Sequence, residues 1–267
     1  MLTDPKANKV RGVAKLAKKD ARSSTGLFLL EGPQGLKEAL DRPKLIEELY
    51  ATEDCVERYP ELFERASKAR IEVQLVSEQV LKALSDTVAP QGVLAVVHQM
   101  HVGLDDIIAA KPQLVAVLSQ IRDPGNAGTV LRAADAAGAD AVVFSEASVD
   151  AYNPKVVRST TGSLFHLPFA IDVPIHAAIE KLRAAGLQVF AADGGGVAIP
   201  ALKAGELAQP TAWIFGNEAW GFEPEVLSAV DKSVAVPIYG AAESLNLATA
   251  ASVCLFASAF ALNSDSN

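Results

Sequence analysis

Apolar positions follow one regime in the first third of the chain and another in the remainder. From Leu27 to about Val97, short apolar runs alternate with stretches of helical period: LFLLEG, GLKEALDR, IEELYAT, ERYPELFERASKAR, VQLVS, SEQVLKALSD and VLAVVH. Brief strands interleaved with amphipathic helices predict a small α/β unit. The periodicity lapses in HQMHVGLDDIIAAKP, which suits a linker or linking helix ending at Lys111-Pro112. The boundary is placed near residue 105, giving an N-terminal domain over 1–105 and a C-terminal domain over 106–267.

Beyond Pro112 the runs are continuously apolar: QLVAVLSQ, AVVF, LPFAI, LQVFAAD, TAWIFG and SVAVPI, separated by the helical stretches NAGTVLRAADAAG, NPKVVRSTTG, IHAAIEKLRAAG and PEVLSAV. Strands apolar on both faces are covered on both faces, so the pattern predicts a mostly parallel sheet with helices on both sides, in an α/β fold. In such sheets ligands sit beyond the carboxyl ends of the strands. A last helix is expected from Ser244 to about Leu262. It approaches the ~20 residues of a membrane span, but Asn246, Thr249, Ser252 and Ser258 interrupt it and no basic flank anchors it. It reads as a buried or interface helix. Its alanines and serines permit close approach of another helix, which predicts a homodimer seam in the C-terminal domain and no membrane partner.

Half of the 267 residues are hydrophobic, enough for one large core or two smaller ones. No charged segment followed by an apolar run opens the chain, so a cytoplasmic location is expected. Cys55 and Cys254 lie far apart without CxxC spacing, and His98, His101, His166 and His176 show no ligand spacing, so no metal site is expected. The net charge of −8 is segregated: residues 1–22 hold seven cations against two carboxylates, which leaves −13 for the rest. Arg11, Lys15, Lys18 and Arg22 follow i, i+4, i+7, i+11, so one helix there would align four cations as a phosphate-binding stripe. A solvated face of a terminal helix explains the pattern equally well.

Three stretches carry candidate chemistry. In LSQIRDPGNAGTVLRAADAAGADAVVF (118–144), a strand ends in the turn Asp123-Pro124-Gly125, with Asn126 read as the helix N-cap and Arg132 nearly two turns inside. In WIFGNEAWGF (213–222), a strand runs into Gly216-Asn217-Glu218 with Gly221 close behind, a loop able to bring backbone groups against a ligand. In VAVPIYGAAESLNLATAASV (234–253), a strand and a loop lead to Ser244-Leu245-Asn246-Leu247, where Ser244 could simply be an N-cap. Each has a plain structural alternative: a capped helix, a glycine-rich turn, a capping serine. Asp193-Gly194-Gly195-Gly196 weakly imitates a nucleotide-binding glycine loop, but its position after LQVFAA makes it read as a plain turn.

In this order the three stretches resemble, nearly letter for letter, the three motifs of the SpoU/TrmH family of RNA 2′-O-ribose methyltransferases in the SPOUT superfamily. NPKVVRSTTGSLFHLP (153–168) resembles the family's segment between the first two motifs. The resemblance spans 113–262; residues 1–100 match only the looser form of the family's N-terminal, ribosomal-protein-like RNA-binding domain. It implies a deep trefoil knot in the C-terminal domain and S-adenosylmethionine as methyl donor. Gly216, Asn217, Ile238, Ser244 and Leu247 would contact the donor, largely through backbone groups. Arg132 would serve the reaction, with Asn126, Glu218, Ser244 and Asn246 fixing Arg132 and the ribose. Arg158 would contact RNA phosphate, beside the stripe Arg11, Lys15, Lys18 and Arg22.

A 2′-hydroxyl must lose its proton while it attacks a methyl group in line. A guanidinium ordinarily keeps its proton to about pH 12 or beyond. Arg132 could be deprotonated in an unusual environment with phosphate help, or stay cationic, grip the 3′-phosphate and stabilise the developing alkoxide; energetics favour the cation. The alternative from another class is a non-catalytic RNA-binding protein on the same fold, which should have lost Arg132, Glu218 or Asn246; all three are present. Whether the target is ribosomal or transfer RNA, and whether its methylation serves housekeeping or antibiotic resistance, is not written in these motifs.

Overall fold

The computed structural model describes residues 1–264. Its contacts divide the chain into two compact units, Met1–Met100 with Tyr152–Phe165, and His101–Ala151 with the chain from His166 onward.

The first unit opens with α1 (Asn8–Ala14), a short 3₁₀ turn over Lys15–Ala17 and α2 (Lys19–Thr25). A mixed sheet follows, of β1 (Leu27–Glu31), β2 (Ile46–Ala51), β3 (Val73–Leu75) and β4 (Val93–His98), in the order β1-β4-β2-β3. Between its strands lie α3 (Pro33–Ala39), α4 (Glu53–Arg58), α5 (Pro60–Lys68) and α6 (Glu78–Leu84). Val10, Val13 and Leu16 are buried with Leu29, Tyr50, Leu94, Val96 and the α6 residues Val80, Leu81 and Leu84. The apolar side of the N-terminal segment therefore belongs to the core of this unit.

The four-cation stripe does not form. Lys18 is extended (φ −98°, ψ 140°) and separates the 3₁₀ turn from α2, so the 3.6-residue period is not continuous from Arg11 to Arg22. Arg22 is buried, 2% exposed, and donates from Nη1 to the Leu16 carbonyl at 2.8 Å. Its guanidinium stitches the helical break together and is withdrawn from any phosphate-binding face, whereas Arg11, Lys15 and Lys18 are exposed.

The second unit runs α7 (Leu104–Ala109), β5 (Leu114–Leu118), α8 (Pro124–Ala136) and β6 (Ala141–Ser145). After α9 (Pro154–Thr160), which belongs to the first unit, it continues with β7 (Phe169–Val173), α10 (Ile175–Ala184), β8 (Gln188–Ala198), β9 (Thr211–Phe215), α11 (Pro224–Ala229), β10 (Lys232–Ala235) and α12 (Leu247–Leu262). Six strands form one parallel sheet in the order β10-β8-β9-β5-β6-β7. Every residue of β5, β6 and β9 is buried, as expected for central strands covered on both faces. The chain moves from β5 outward through β6 and β7, then returns on the other side of β5 with β8 and β9. The strand order thus reverses at β5 and β9, and the crevice beyond their carboxyl ends is where such a sheet takes a ligand.

Candidate functional site

The loops after β5 and β9 and the loop before α12 meet at that crevice. Pro124 occupies the first turn of α8, and Asp123, not Asn126, is the N-cap: its Oδ1 accepts the Asn126 N–H at 2.7 Å. Proline needs no donor there, and the aspartate satisfies an N–H that the first turn leaves open. Asn126 lies inside the helix, which frees its side chain for longer-range bonding. At α12 the cap is Asn246, not Ser244; its Oδ1 accepts the Ala248 N–H at 2.9 Å, and the helix starts at Leu247.

One chain of hydrogen bonds joins the three loops. The Glu218 carboxylate accepts from the backbone N–H of Arg122 (3.3 Å) and Asp123 (3.1 Å) and from Asn126 Nδ2 (3.2 Å). Asn126 Oδ1 in turn accepts from Asn246 Nδ2 at 3.0 Å. Asn217, 6% exposed, donates from Nδ2 to the Gln120 carbonyl at 2.7 Å. Gln120 holds a left-handed backbone, φ 54°, which aims that carbonyl at Asn217. Residues about a hundred positions apart are therefore held in one geometry by their own side chains.

The glycines here are required by space. A Cβ on Gly216 would stand 2.7 Å from the Gly221 carbonyl oxygen, because Asn217 and Gly221 exchange backbone hydrogen bonds of 2.8 and 2.9 Å to close the loop. A Cβ on Gly196 would meet the Ser233 carbonyl oxygen at 2.4 Å. Asp193-Gly194-Gly195-Gly196 is not a plain turn between elements: it lies within β8, where the register to β10 jumps from Ser233↔Ala191 to Val234↔Val197. The segment is looped out as a bulge, and bulges commonly re-aim a strand beside a site.

A cleft of about 440 Å³ is lined by these loops, among them Asn126, Asp193, Gly194, Asn217, Glu218, Val234, Val236, Ile238, Glu243, Ser244, Leu245, Asn246 and Leu247. Its wall combines aliphatic side chains with exposed backbone and three carboxylates, which suits an amphipathic, cation-bearing small molecule. Of the residues singled out in sequence, Asn126, Asn217, Glu218, Ile238, Ser244, Asn246 and Leu247 line this cleft, while Gly216, Arg132 and Arg158 do not. Gly216 stands behind the wall. Arg132 is exposed on α8, the helix whose first turn is bolted to Glu218, and makes no hydrogen bond or ion pair among the described residues. Arg158, in the first unit, is shared between Glu31 (3.1 Å) and Asp86 (3.0 Å), so its guanidinium is already engaged by protein carboxylates.

Sequence reading missed Gln120, Arg122, Glu243 and Trp220, and took Asp193 for part of a plain turn. No motif marks Gln120, whose role lies in its backbone, while Asp193 and Glu243 enter the cleft only because a bulge and a loop place them there. Arg122 sits 5.1 Å from the centroid of the Trp220 ring, a pairing that needs the two loops folded together.

Comparison with known proteins places the two units among methyltransferase relatives. Residues 113–256 match the SpoU rRNA Methylase family, and residues 7–95 match the MRM3-like substrate binding domain. The chain is 34% identical over 257 residues, 94% of this chain and 96% of the relative, to the 23S rRNA (guanosine(2553)-2′-O)-methyltransferase RlmP of Bacillus subtilis. The 23S rRNA (uridine(2479)-2′-O)-methyltransferase of Streptomyces viridochromogenes is 29% identical, covering 91% of this chain and 86% of that one. Among solved structures, the AdoMet-bound rRNA methyltransferase from Sinorhizobium meliloti superposes with a TM-score of 0.83 at 29% identity, over 96% of each chain. AviRb from Streptomyces viridochromogenes in complex with AdoMet gives 0.81 at 27% identity, over 95% of this chain and 98% of that one. From the motifs, the parallel sheet and the extent of these matches, the chain belongs to the SpoU rRNA Methylase family.

Proposed function

We propose that this chain methylates a ribose 2′-hydroxyl of ribosomal RNA with S-adenosylmethionine as donor. The observation that carries the proposal is the hydrogen-bond chain Glu218–Asn126–Asn246, which ties three separate motifs around one cleft at the switch point of the sheet. When bound, the donor supplies an electrophilic methyl group on a sulfonium. Asp193, Glu218 and Glu243 give the cleft an anionic wall suited to that cation, and Val234, Val236, Ile238 and Leu247 give its apolar part. Asn217, Ile238, Ser244 and Leu247 are assigned to donor contact, with Gly216 letting the loop close behind them.

Arg132 is assigned to the ribose and its 3′-phosphate. As an exposed cation without a partner among the described residues, it can donate to a phosphate without breaking an existing bond, and a fixed guanidinium stabilises the oxyanion that develops as the hydroxyl proton leaves to water. Asn126, Glu218 and Asn246 set the position of α8 and so of Arg132; Ser244, exposed at the cleft, is assigned to the ribose. RNA contact by the first unit falls to Arg11, Lys15 and Lys18. Two copies are assigned to the active assembly, joined along α12, where Ser252, Val253, Phe256, Ala257 and Phe260 leave an open apolar groove of about 410 Å³. Phe260 is 72% exposed, so Phe260→Glu should convert a dimer to a monomer in sedimentation; a wild-type monomer at micromolar concentration contradicts the assignment. The trefoil knot implied by the resemblance belongs to the same reading. A cytoplasmic location accords with it, and no helix among the described residues is long and apolar enough to cross a membrane.

The test is methyl transfer from labelled S-adenosylmethionine to unmodified 23S ribosomal RNA. Label is expected in the RNA with the wild-type protein and not with Arg132→Ala. Donor binding without transfer to ribosomal or transfer RNA would favour the non-catalytic reading.

A further inference from the structure

The two tryptophans of the chain stand in opposite environments. Trp213 is fully buried in β9 and donates from Nε1 to Ser258 Oγ at 2.9 Å. Trp220, seven residues later, is 51% exposed in the loop that also supplies Asn217 and Glu218 to the cleft. An indole left in water forgoes its hydrophobic gain, and this one is not on a slack loop. Asn217 and Gly221 close the loop by paired backbone bonds, and Asn217 Oδ1 accepts the Ala219 N–H at 2.9 Å. The Arg122 guanidinium lies 5.1 Å from the Trp220 ring centroid. Glu218 accepts from the Arg122 backbone N–H, so the strand-end loops bearing the two side chains are tied together two residues from the indole.

We propose that Trp220 and Arg122 form a stacking platform for an unpaired nucleobase of the RNA substrate, beside the cleft. The inference rests on the RNA methyltransferase reading and deepens it. A fixed indole stacked with a planar cation offers π surface to any base, and the guanidinium adds a donor for the adjoining phosphate. The charge distribution favours a base over a purely electrostatic grip: beyond residue 22 the chain carries −13, so long-range attraction to phosphate is weak there and a short-range stacking contact adds to the few phosphate-facing cations. Presenting a ribose to the cleft requires the local RNA to be unstacked, and the platform gives a displaced base somewhere to rest.

The test uses tryptophan emission, with Trp213 as the buried internal reference. Adding unmodified 23S ribosomal RNA transcript, or single-stranded poly(A), should quench the exposed component of wild-type emission and leave Trp220→Ala emission unchanged. Trp220→Ala should weaken RNA binding and raise KM about tenfold to a hundredfold, with kcat and donor affinity near wild type and Trp213 emission showing the fold intact. Trp220→Phe should recover most of the loss. Unchanged KM and RNA affinity in Trp220→Ala would overturn the platform, as would an emission shift that follows protein concentration without RNA, the mark of a protein contact. If wild-type protein methylates no RNA yet its exposed emission is quenched by RNA, the catalytic reading fails and the platform stands.

Discussion

Two arginines of the first unit are tied to protein, and two beside the cleft of the second face solvent. Arg22 is buried against the Leu16 carbonyl, and Arg158 is divided between Glu31 and Asp86. Arg132 has no polar partner among the described residues, and Arg122 rests on an exposed indole while its backbone is held by Glu218. A guanidinium already satisfied by carbonyl or carboxylate must break those bonds to meet a phosphate; one held only through its helix or loop need not. The contrast teaches that a cation's place in a charge pattern does not say whether it is available. Its acceptors do.

The comparison can be broken by substitution. Arg132→Ala should lower methyl transfer by about a hundredfold to a thousandfold, the usual effect of removing one fixed stabiliser of a developing oxyanion, with donor affinity unchanged in calorimetry. Glu218→Ala, which releases three donors at once, should lower kcat by about tenfold to a hundredfold through misplacement of α8. Arg22→Ala should reduce unfolding stability by about 1–3 kcal/mol in denaturant titration, because the Leu16 carbonyl is left buried without its partner, and should leave the salt dependence of RNA binding alone. Joint replacement of Arg11, Lys15 and Lys18 by alanine should do the reverse. Stability should change little, while the logarithmic salt slope of RNA binding falls by about 2–3; an unchanged slope would remove the first unit's cations from the RNA interface.

The cysteines repeat the contrast on a smaller scale. Burial raises both thiols, and in α12 it pushes Cys254 up to about 12. Cys55 borders an open cavity of about 300 Å³, so it should be alkylated in the native protein well before Cys254. As pH rises from the ordinary thiol range toward 12, the unfolded chain loses the Cys254 proton while the native chain keeps it, so this residue's contribution to stability falls with pH.

The sheet of the second unit was legible because its central strands are continuous apolar runs, and the three motifs because their order and spelling are distinctive. The caps were misread by a few residues: Asp123 and Asn126, like Ser244 and Asn246, are all competent caps, and only Pro124 at the first helical turn distinguishes the first pair. The cation stripe failed at Lys18, where an extended residue invisible to periodicity interrupts the helix. The Asp193–Gly196 bulge depends on the partner strand β10, and the grouping of Tyr152–Phe165 with the first unit depends on contacts such as the Phe28–Tyr152 ring pair, 4.9 Å between centroids, that no local pattern announces.

The most direct measurement is the chemical position of the transferred methyl group. Unmodified 23S ribosomal RNA incubated with the protein and labelled S-adenosylmethionine, then digested to nucleosides, should yield all of its label in one 2′-O-methylnucleoside. Label on a base, or an RNA left unlabelled by protein that binds the donor, would contradict the account.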